Sequence, residues 1–318
     1  MQDLRIIFMG TPEFAVASLD ALVKSNYNVC AVVSAPDRPA GRGRKMKASA
    51  VKEYALQHGL RVLQPENLKD AGFQDELRAL KAKLFIVVAF RMLPEAVWSM
   101  PELGTFNLHA SLLPQYRGAA PINHAIINGE QKGGVSTFFL RHEIDTGNII
   151  FREETRIGPD ETAGEYHDRL MMMGAMLTIK TVRAIEEDRV HIVSQEELIS
   201  KGEKLKTAPK IYKEDCRIDW NKNAAEVHNL IRGLSPYPGA FTELNTSTDN
   251  LLLLKIYRAE IKHCDCTSSP GTIMTDYKNY FNICCKDACI SIHELQQAGK
   301  KRLKIKEFLA GLIPNTLG

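Results

Sequence analysis

The chain has 318 residues, of which 44% are hydrophobic and 25% charged, with a formal net charge of +3 at pH 7. This length suits two domains better than one. It contains no run of 18 apolar residues, and its start has no basic segment leading to a small-residue cleavage site. These features argue against a membrane span and an export signal, so we expect a cytoplasmic protein with no membrane partner.

The net charge is distributed unevenly along the chain. Residues 207–318 contain 15 Lys and Arg against 12 Asp and Glu, whereas residues 1–206 contain 26 of each. A basic excess of this size is common on solvated surfaces, so it indicates nucleic-acid binding only if a second signal supports it.

The seven cysteines suggest reduced thiols, because the chain is long and carries no secretory signal. Cys264-x-Cys266 and Cys284-Cys285-x3-Cys289 do not form the two matched C-x2-C pairs of a zinc site. Both groups also fall in strand-like runs, where Cys behaves as a small hydrophobic residue. We therefore predict no metal site.

The first 110 residues alternate short apolar runs with helical patterns. Thr11-Pro12-Glu13 is typical of a helix start, with Thr11 as N-cap and Pro12 at the first helical position, and Ser49 and Gly59 mark the ends of a second helix. The alternation predicts an α/β domain with a doubly wound, mostly parallel sheet, which binds its ligands at the carboxyl ends of the strands. The strand candidates are residues 4–8, 27–33, 60–63, 84–90 and 105–109.

The pattern changes after residue 193. A strand pair and a helix from about residue 161 to 187 complete a first domain, 1–193, and a polar, Lys-rich stretch predicts a linker over 194–207. Residues 208–318 then contain one helical stretch and several short strands, which indicate a small β-barrel or sandwich. The strand pair is 134–140 and 148–155, the helical stretch is 224–234, and the later strand candidates are 251–262, 271–275, 282–285, 289–292 and 303–308.

Gly10-Thr11-Pro12 follows the first strand, where a dinucleotide-binding protein has G-x-G-x-x-G. Pro12 takes the place of the second glycine, so the backbone cannot approach a pyrophosphate as that motif requires. A nicotinamide-dependent enzyme is therefore not expected.

Three polar residues are candidates for chemistry. Asn107 and His109 lie two residues apart on the last strand of the alternating series, so both project from one face near the carboxyl end. An Asn amide can donate to an oxyanion and a His can transfer a proton, although a lone His beside a strand is more often a packed residue. Asp145 precedes Gly147 in a turn, where Asp is ordinarily only a turn former.

The string NLHASLLPQYRGAAPI (107–122), followed by EIDTGNII (143–150), resembles the folate-dependent formyltransferases. PDRPAGRGRKMK (36–47), RGAAPI and DWNKNAAEVHNLIRGLSPYPGAF (219–241) are similar, within that group, to the methionyl-tRNA formyltransferase family. The resemblance covers essentially the whole chain. It implies a Rossmann-like N-terminal domain, a C-terminal OB-like β-barrel that binds tRNA, 10-formyltetrahydrofolate as co-substrate, initiator Met-tRNA as acceptor and no metal. We expect a monomer.

The resemblance also implies roles for individual residues. Asn107 would donate to the developing oxyanion, His109 would supply charge or a proton, and Asp145 would hold the imidazole. The folate contacts would be Ser111, Leu112, Leu113 and Pro114. The tRNA contacts in the basic loop would be Arg38, Arg42, Arg44 and Lys45. The family usually has Tyr-Gly where this chain has Phe90-Arg91, a departure within the segment that shapes the pteridine pocket.

Two other functions fit parts of the sequence. A formyltransferase acting on a small amine, such as a nucleotide sugar or glycinamide ribonucleotide, keeps the chemistry but needs no basic insert. A catalytically inert RNA-binding protein on the same scaffold is the other, although the presence of Asn107, His109 and Asp145 argues against it. A steep salt dependence of activity with charged tRNA distinguishes the first alternative, since phosphate contacts produce it.

Overall fold

The structure, a computed structural model, describes residues 4–40, 45–200, 202–245, 251–263 and 268–312. Its contacts divide the chain into two compact units. The first unit consists of Met1–Gly118, Gly133–Thr155 and His167–Thr207. The second consists of Ala119–Lys132, Arg156–Tyr166 and Ala208–Gly318. The linker expected over 194–207 thus falls in the first unit, and two segments of the expected first domain fall in the second.

The helices and strands follow one another as the sequence pattern suggests, with several short additions. The elements up to residue 127 are β1 (Arg5–Gly10), α1 (Glu13–Lys24), β2 (Asn28–Val33), β3 (Arg38–Ala40), β4 (Lys45–Lys47), α2 (Ala50–Gln57), β5 (Val62–Leu63), α3 (Ala71–Ala79), β6 (Leu84–Val88), α4 (Glu95–Trp98), β7 (Thr105–His109), β8 (Arg117–Gly118) and α5 (Pro121–Ile127). The later elements are β9 (Lys132–Phe139), β10 (Ile149–Arg156), α6 (Ala163–Glu186), β11 (Thr207–Ala208), α7 (Ala224–Gly233), β12 (Ala240–Asn245), β13 (Leu251–Lys262), β14 (Ile273–Thr275), β15 (Phe281–Cys284), β16 (Cys289–Gln297), β17 (Arg302–Lys304) and α8 (Ile305–Ala310).

A seven-stranded sheet in the order β10-β9-β7-β6-β1-β2-β5 forms the centre of the first unit. The pairs among β1, β2, β5, β6 and β7 are parallel, and β9 runs antiparallel to β7. Phe73 and Leu77 of α3 pack with Ile7 and Met9 of β1, while α1 contacts β1, β2 and β6. This arrangement confirms the expected Rossmann-like α/β fold.

The helix starts differ in how well the sequence anticipates them. Ser49 caps α2 as expected, since its hydroxyl accepts a hydrogen bond from the Lys52 backbone N–H at 3.1 Å. At α1 the helix begins at Glu13, and Pro12 occupies the N-cap position with no side-chain cap. The assignment of Thr11 as N-cap was therefore wrong by one residue.

In the second unit, an antiparallel sheet in the order β12-β13-β16-β15-β14, with β17 also paired to β16, curls into a half-barrel. The C-terminal domain, expected to be an OB-like β-barrel, is therefore a half-barrel in the structure. The strand expected over 303–308 is wrong beyond Lys304, because α8 begins at Ile305 and Glu307 accepts from the Lys304 backbone N–H. Ile305, Phe308 and Leu309 are buried at helical spacing.

Among the cysteines that the structure describes, one departs from expectation. Cys30, Cys216, Cys284 and Cys285 are free thiols, but Cys289 is disulfide-bonded, so the expectation of reduced thiols is wrong there. Burial raises the pKa of Cys285 to about 12, which keeps that thiol protonated. Within the described ranges, no three His, Cys, Asp or Glu side chains could together hold a metal ion. No helix in those ranges is long and apolar enough to cross a bilayer.

Candidate active site

Asn107 and His109 lie on β7, where the sheet fixes the backbone from both sides. Asn107 is opposite Val87 of the parallel strand β6, and His109 is opposite Ser136 of the antiparallel strand β9. Since the two residues are separated by one position, their side chains project from the same face.

The Asn107 amide is unsatisfied at one end. Its Oδ1 is buried and makes no hydrogen bond to any residue that the structure describes. Leaving a buried polar atom unpaired costs about 1–3 kcal/mol, so such atoms require an explanation such as a catalytic or binding role.

The His109 ring is buried, with 7% of the residue exposed, and both ring nitrogens face acceptors. Nε2 lies 2.9 Å from the carbonyl oxygen of Tyr116, so Nε2 carries a hydrogen and donates it. Nδ1 lies 3.8 Å from Oδ2 of Asp145, which is too long for a hydrogen bond. At this separation an imidazolium and a carboxylate still attract each other electrostatically. Nδ1 is therefore the ring nitrogen that is not engaged in a hydrogen bond to either of these acceptors.

Asp145 lies in a loop between β9 and β10 and has a left-handed backbone, with φ of 55°. Its Oδ2 accepts a hydrogen bond from the Gly118 backbone N–H at 3.0 Å. The carboxylate is thus oriented by the segment that follows the SLLP residues, and that same segment holds His109 through Tyr116.

Gln195 joins this loop to the same segment. Its Nε2 donates to the carbonyl oxygens of Asp145 and Gly147, both at 2.8 Å. Its Oε1 accepts from Arg117, from Nε at 3.0 Å and from Nη2 at 2.7 Å. Gln195 has no exposed surface. Gln195 lies in the stretch whose sequence predicts a linker, and the sequence indicates no function for it.

The four residues expected to contact folate form a tightly bonded loop. The Ser136 hydroxyl donates to the Ser111 carbonyl at 2.6 Å and accepts from the Leu113 backbone N–H at 3.1 Å. Leu113 has no exposed surface and packs with Phe138, so it supports the loop from beneath. Leu112 is partly exposed, whereas Ser111 and Pro114 are buried.

The basic loop is a hairpin in the described residues on either side of positions 41–44. Arg38 of β3 lies opposite Lys47 of β4, and Arg38 is exposed. Arg42 and Arg44 lie outside the described residues, as does the side chain of Lys45. The structure therefore describes the two strands of this loop, β3 and β4, which follow β2 in the chain.

The Phe90-Arg91 departure lies directly after β6. Arg91 donates from Nη1 to the Glu66 carbonyl at 2.8 Å, and from Nη2 to the Pro65 carbonyl. Burial and the nearby Arg38 lower the pKa of Arg91. Arg91 thus ties the segment after β6 to the loop after β5, a contact that a Gly at this position could not make.

The chain matches the models of two formyl transferase domains. Residues 4–182 match "Formyl transferase" and residues 210–312 match "Formyl transferase, C-terminal domain". Methionyl-tRNA formyltransferase from Parabacteroides distasonis is 53% identical over 98% of this chain and 96% of its own length. The enzyme of the same name from Flavobacterium johnsoniae is 53% identical over 98% of this chain and 97% of its own.

The chain belongs to the methionyl-tRNA formyltransferase family. More distant proteins share the fold. The N-formyltransferase from Helicobacter canadensis, solved with folinic acid and dTDP-3-aminofucose, has a TM-score of 0.66 at 21% identity, covering 92% of this chain and 98% of its own. HypX from Aquifex aeolicus, solved with tetrahydrofolic acid, has a TM-score of 0.65 at 16% identity, covering 98% of this chain and 48% of its own.

Proposed function

We propose that the protein transfers the formyl group of 10-formyltetrahydrofolate to the amino group of methionyl initiator tRNA, giving N-formylmethionyl-tRNA. The observation that carries the proposal is the convergence of Asn107, His109 and Asp145 in a chain 53% identical to curated methionyl-tRNA formyltransferases. The positions of these side chains at one edge of the sheet support the catalytic roles proposed for them.

The site fits an acyl transfer from folate to an amine. The bound folate supplies an electrophilic formyl carbon. The buried Asn107 Oδ1 without a partner can accept an N–H of the incoming amine, and the Nδ2 of the same amide can donate to the formyl oxygen, where negative charge develops. The exposed part of Leu112 is available for the folate, and the buried Ser111, Leu113 and Pro114 set the course of its loop.

His109 moves the proton that the reaction requires. As the amine nitrogen bonds to the formyl carbon it loses a proton, and as the bond to N10 breaks, N10 gains one. Nδ1 can carry out both transfers because Nε2 is engaged with the Tyr116 carbonyl. Asp145, 3.8 Å from Nδ1, stabilises the imidazolium between the two transfers.

Recognition of the tRNA is assigned to two basic elements. Arg38, Arg42, Arg44 and Lys45 belong to the basic segment 36–47, which follows β2 in the chain and so comes after the strand end at which such a sheet binds ligands. Residues 300–306 of the second unit, KKRLKIK, supply phosphate contacts without sequence preference. We also propose that the enzyme is cytoplasmic and monomeric.

A different acceptor is the alternative to be tested, since the Helicobacter canadensis neighbour was solved with an amino sugar nucleotide. The assay supplies 10-formyltetrahydrofolate with initiator Met-tRNA, elongator Met-tRNA or a dTDP-amino sugar, at several salt concentrations. We expect turnover with initiator Met-tRNA only, falling steeply with salt. Turnover with the sugar and not with either tRNA would overturn the proposed acceptor, and no formyl transfer to any of the three would overturn the proposed chemistry.

A further inference from the structure

The Asp145 loop is held mainly by a side chain that is distant in sequence. The loop enters from β9 and leaves into β10, and Asp145 itself has a left-handed backbone. The backbone carbonyl oxygens of Asp145 and Gly147 both accept a hydrogen bond from the side-chain amide nitrogen of Gln195.

The Gln195 amide uses its full hydrogen-bonding capacity. A primary amide has two N–H donors and two acceptor lone pairs. Both donors reach the Asp145 loop, and both lone pairs accept from the guanidinium of Arg117. A buried amide satisfied on all sides permits one orientation only, because any rotation would leave buried groups unpaired.

Arg117 connects this amide to the other support of Asp145. The residue after it, Gly118, donates its backbone N–H to Oδ2 of Asp145. Gln195 therefore fixes the backbone of the loop, and through Arg117 it also fixes the segment that orients the carboxylate. Both links bear on the 3.8 Å separation between Asp145 and His109.

We propose that Gln195, together with Arg117, is a positioning residue of this enzyme that sets the distance between the Asp145 carboxylate and His109 Nδ1. The inference rests on the role of Asp145 given under Proposed function. Displacing a catalytic group by about 1 Å can cost about 10²-fold in rate, so loss of Gln195 should lower kcat while leaving substrate binding intact.

The test compares Gln195→Met with a matched Gln115→Met control. Gln115 also joins the SLLP loop to the later segment, through Glu203 at 2.7 Å and the Lys206 backbone N–H at 2.8 Å, but it does not touch Asp145. We expect Gln195→Met to lower kcat by about 10² with KM unchanged for both substrates, and Gln115→Met to keep the wild-type kcat.

A second variant, Gln195→Glu, distinguishes a loss of positioning from a folding defect in Gln195→Met. It keeps the size of the side chain and the acceptors for Arg117, but a carboxylate cannot donate to the two carbonyls. We expect the folded Gln195→Glu enzyme, identified by a cooperative thermal transition, to lose about as much kcat as Gln195→Met. A wild-type kcat in a folded Gln195→Glu enzyme would overturn the inference.

Combining Gln195→Met with Asp145→Ala separates positioning from general support of the structure. If Gln195 acts through Asp145, its removal costs almost nothing further once Asp145 is gone. An equal loss of kcat in both backgrounds would overturn the inference alone. A wild-type kcat for Asp145→Ala would overturn both the inference and the role of Asp145 on which it rests.

Discussion

Strand β7 and the loop between β9 and β10 bring polar groups to the same site by different means. On β7, the backbone ladders to β6 and β9 hold Asn107 and His109, and the alternation of the strand aims them. In the loop, Asp145 depends on Gly118 and on the side chain of Gln195, 50 residues further along the chain. A group held by backbone pairing is stable to most side-chain changes, whereas a group held by distant side chains is lost when one of them is lost.

The strand side of the comparison predicts the largest effect. Asn107→Ala and His109→Ala should each lower kcat by at least about 10², because the lost interactions belong to the transition state while the sheet keeps its structure. Formyl transfer and folate binding are measured separately, and folate binding should be retained. His263→Ala, at an exposed His, is the control. Normal turnover in either site variant would remove β7 from the mechanism.

The loop side is tested at Gly147. A Cβ at this position would lie 1.6 Å from the Phe139 carbonyl oxygen, so Gly147→Ala must move the loop away from β9. We expect kcat to fall by about 10² through displacement of Asp145. Gly311→Ala, whose Cβ would meet only the Phe308 carbonyl at 3.7 Å, should leave kcat unchanged. If Gly147→Ala has the wild-type rate, the loop position is not critical to catalysis.

The basic hairpin adds a third case, in which the property tested is tRNA recognition and not the chemistry of formyl transfer. Arg42 lies between Gly41 and Gly43, which let a long planar side chain approach a nucleic acid closely. Arg42→Leu should lower the rate with initiator Met-tRNA about tenfold more than with a variant tRNA whose acceptor end is fully paired, and Arg42→Lys should restore little. Arg44→Leu, at a position proposed to contact phosphate, should lower the rate with both tRNAs alike. Equal discrimination by all variants would place recognition elsewhere.

The smallest expected effect concerns a buried histidine of the second unit, which bonds to a strand that is distant in sequence. His228 is buried on α7, with Nε2 3.1 Å from the Ala259 carbonyl, and burial followed by the charge of Arg232 lowers its pKa, against the opposing effect of Asp160. The unfolded chain therefore takes up the proton first as pH falls through the ordinary value of 6.5, and the folded state loses stability below it.

Denaturant unfolding at pH 7 and pH 5 measures this loss. His228→Gln should show a smaller difference in unfolding free energy between the two pH values than the wild type does. His191→Gln, at an exposed position, should behave as the wild type. Identical pH dependence in all three proteins would show that His228 does not titrate with unfolding.

The same contrast explains what the sequence could and could not predict. Asn107 and His109 can be predicted from the sequence because strand alternation places them on one face, and α6 can be predicted because its helical pattern is long. The role of Gln195 cannot be predicted, since a polar residue in a Lys-rich stretch has no periodic signal and its partners are far away in sequence. The pattern at 303–308 predicts a strand because Leu303 and Ile305 alternate with lysines. The burial of Phe308 and Leu309, which favours the helix, depends on tertiary packing.

The division of the second unit among three stretches of chain has a consequence for biosynthesis. Helix α5 packs against α7, whose first residue is almost 100 positions further along. At about 5–20 residues per second, the ribosome delivers that partner roughly 5 to 20 s after α5 has been made. During this interval the Ile127 side chain lacks the core it will join, so the nascent chain should be most prone to chaperone capture between these two points of its synthesis.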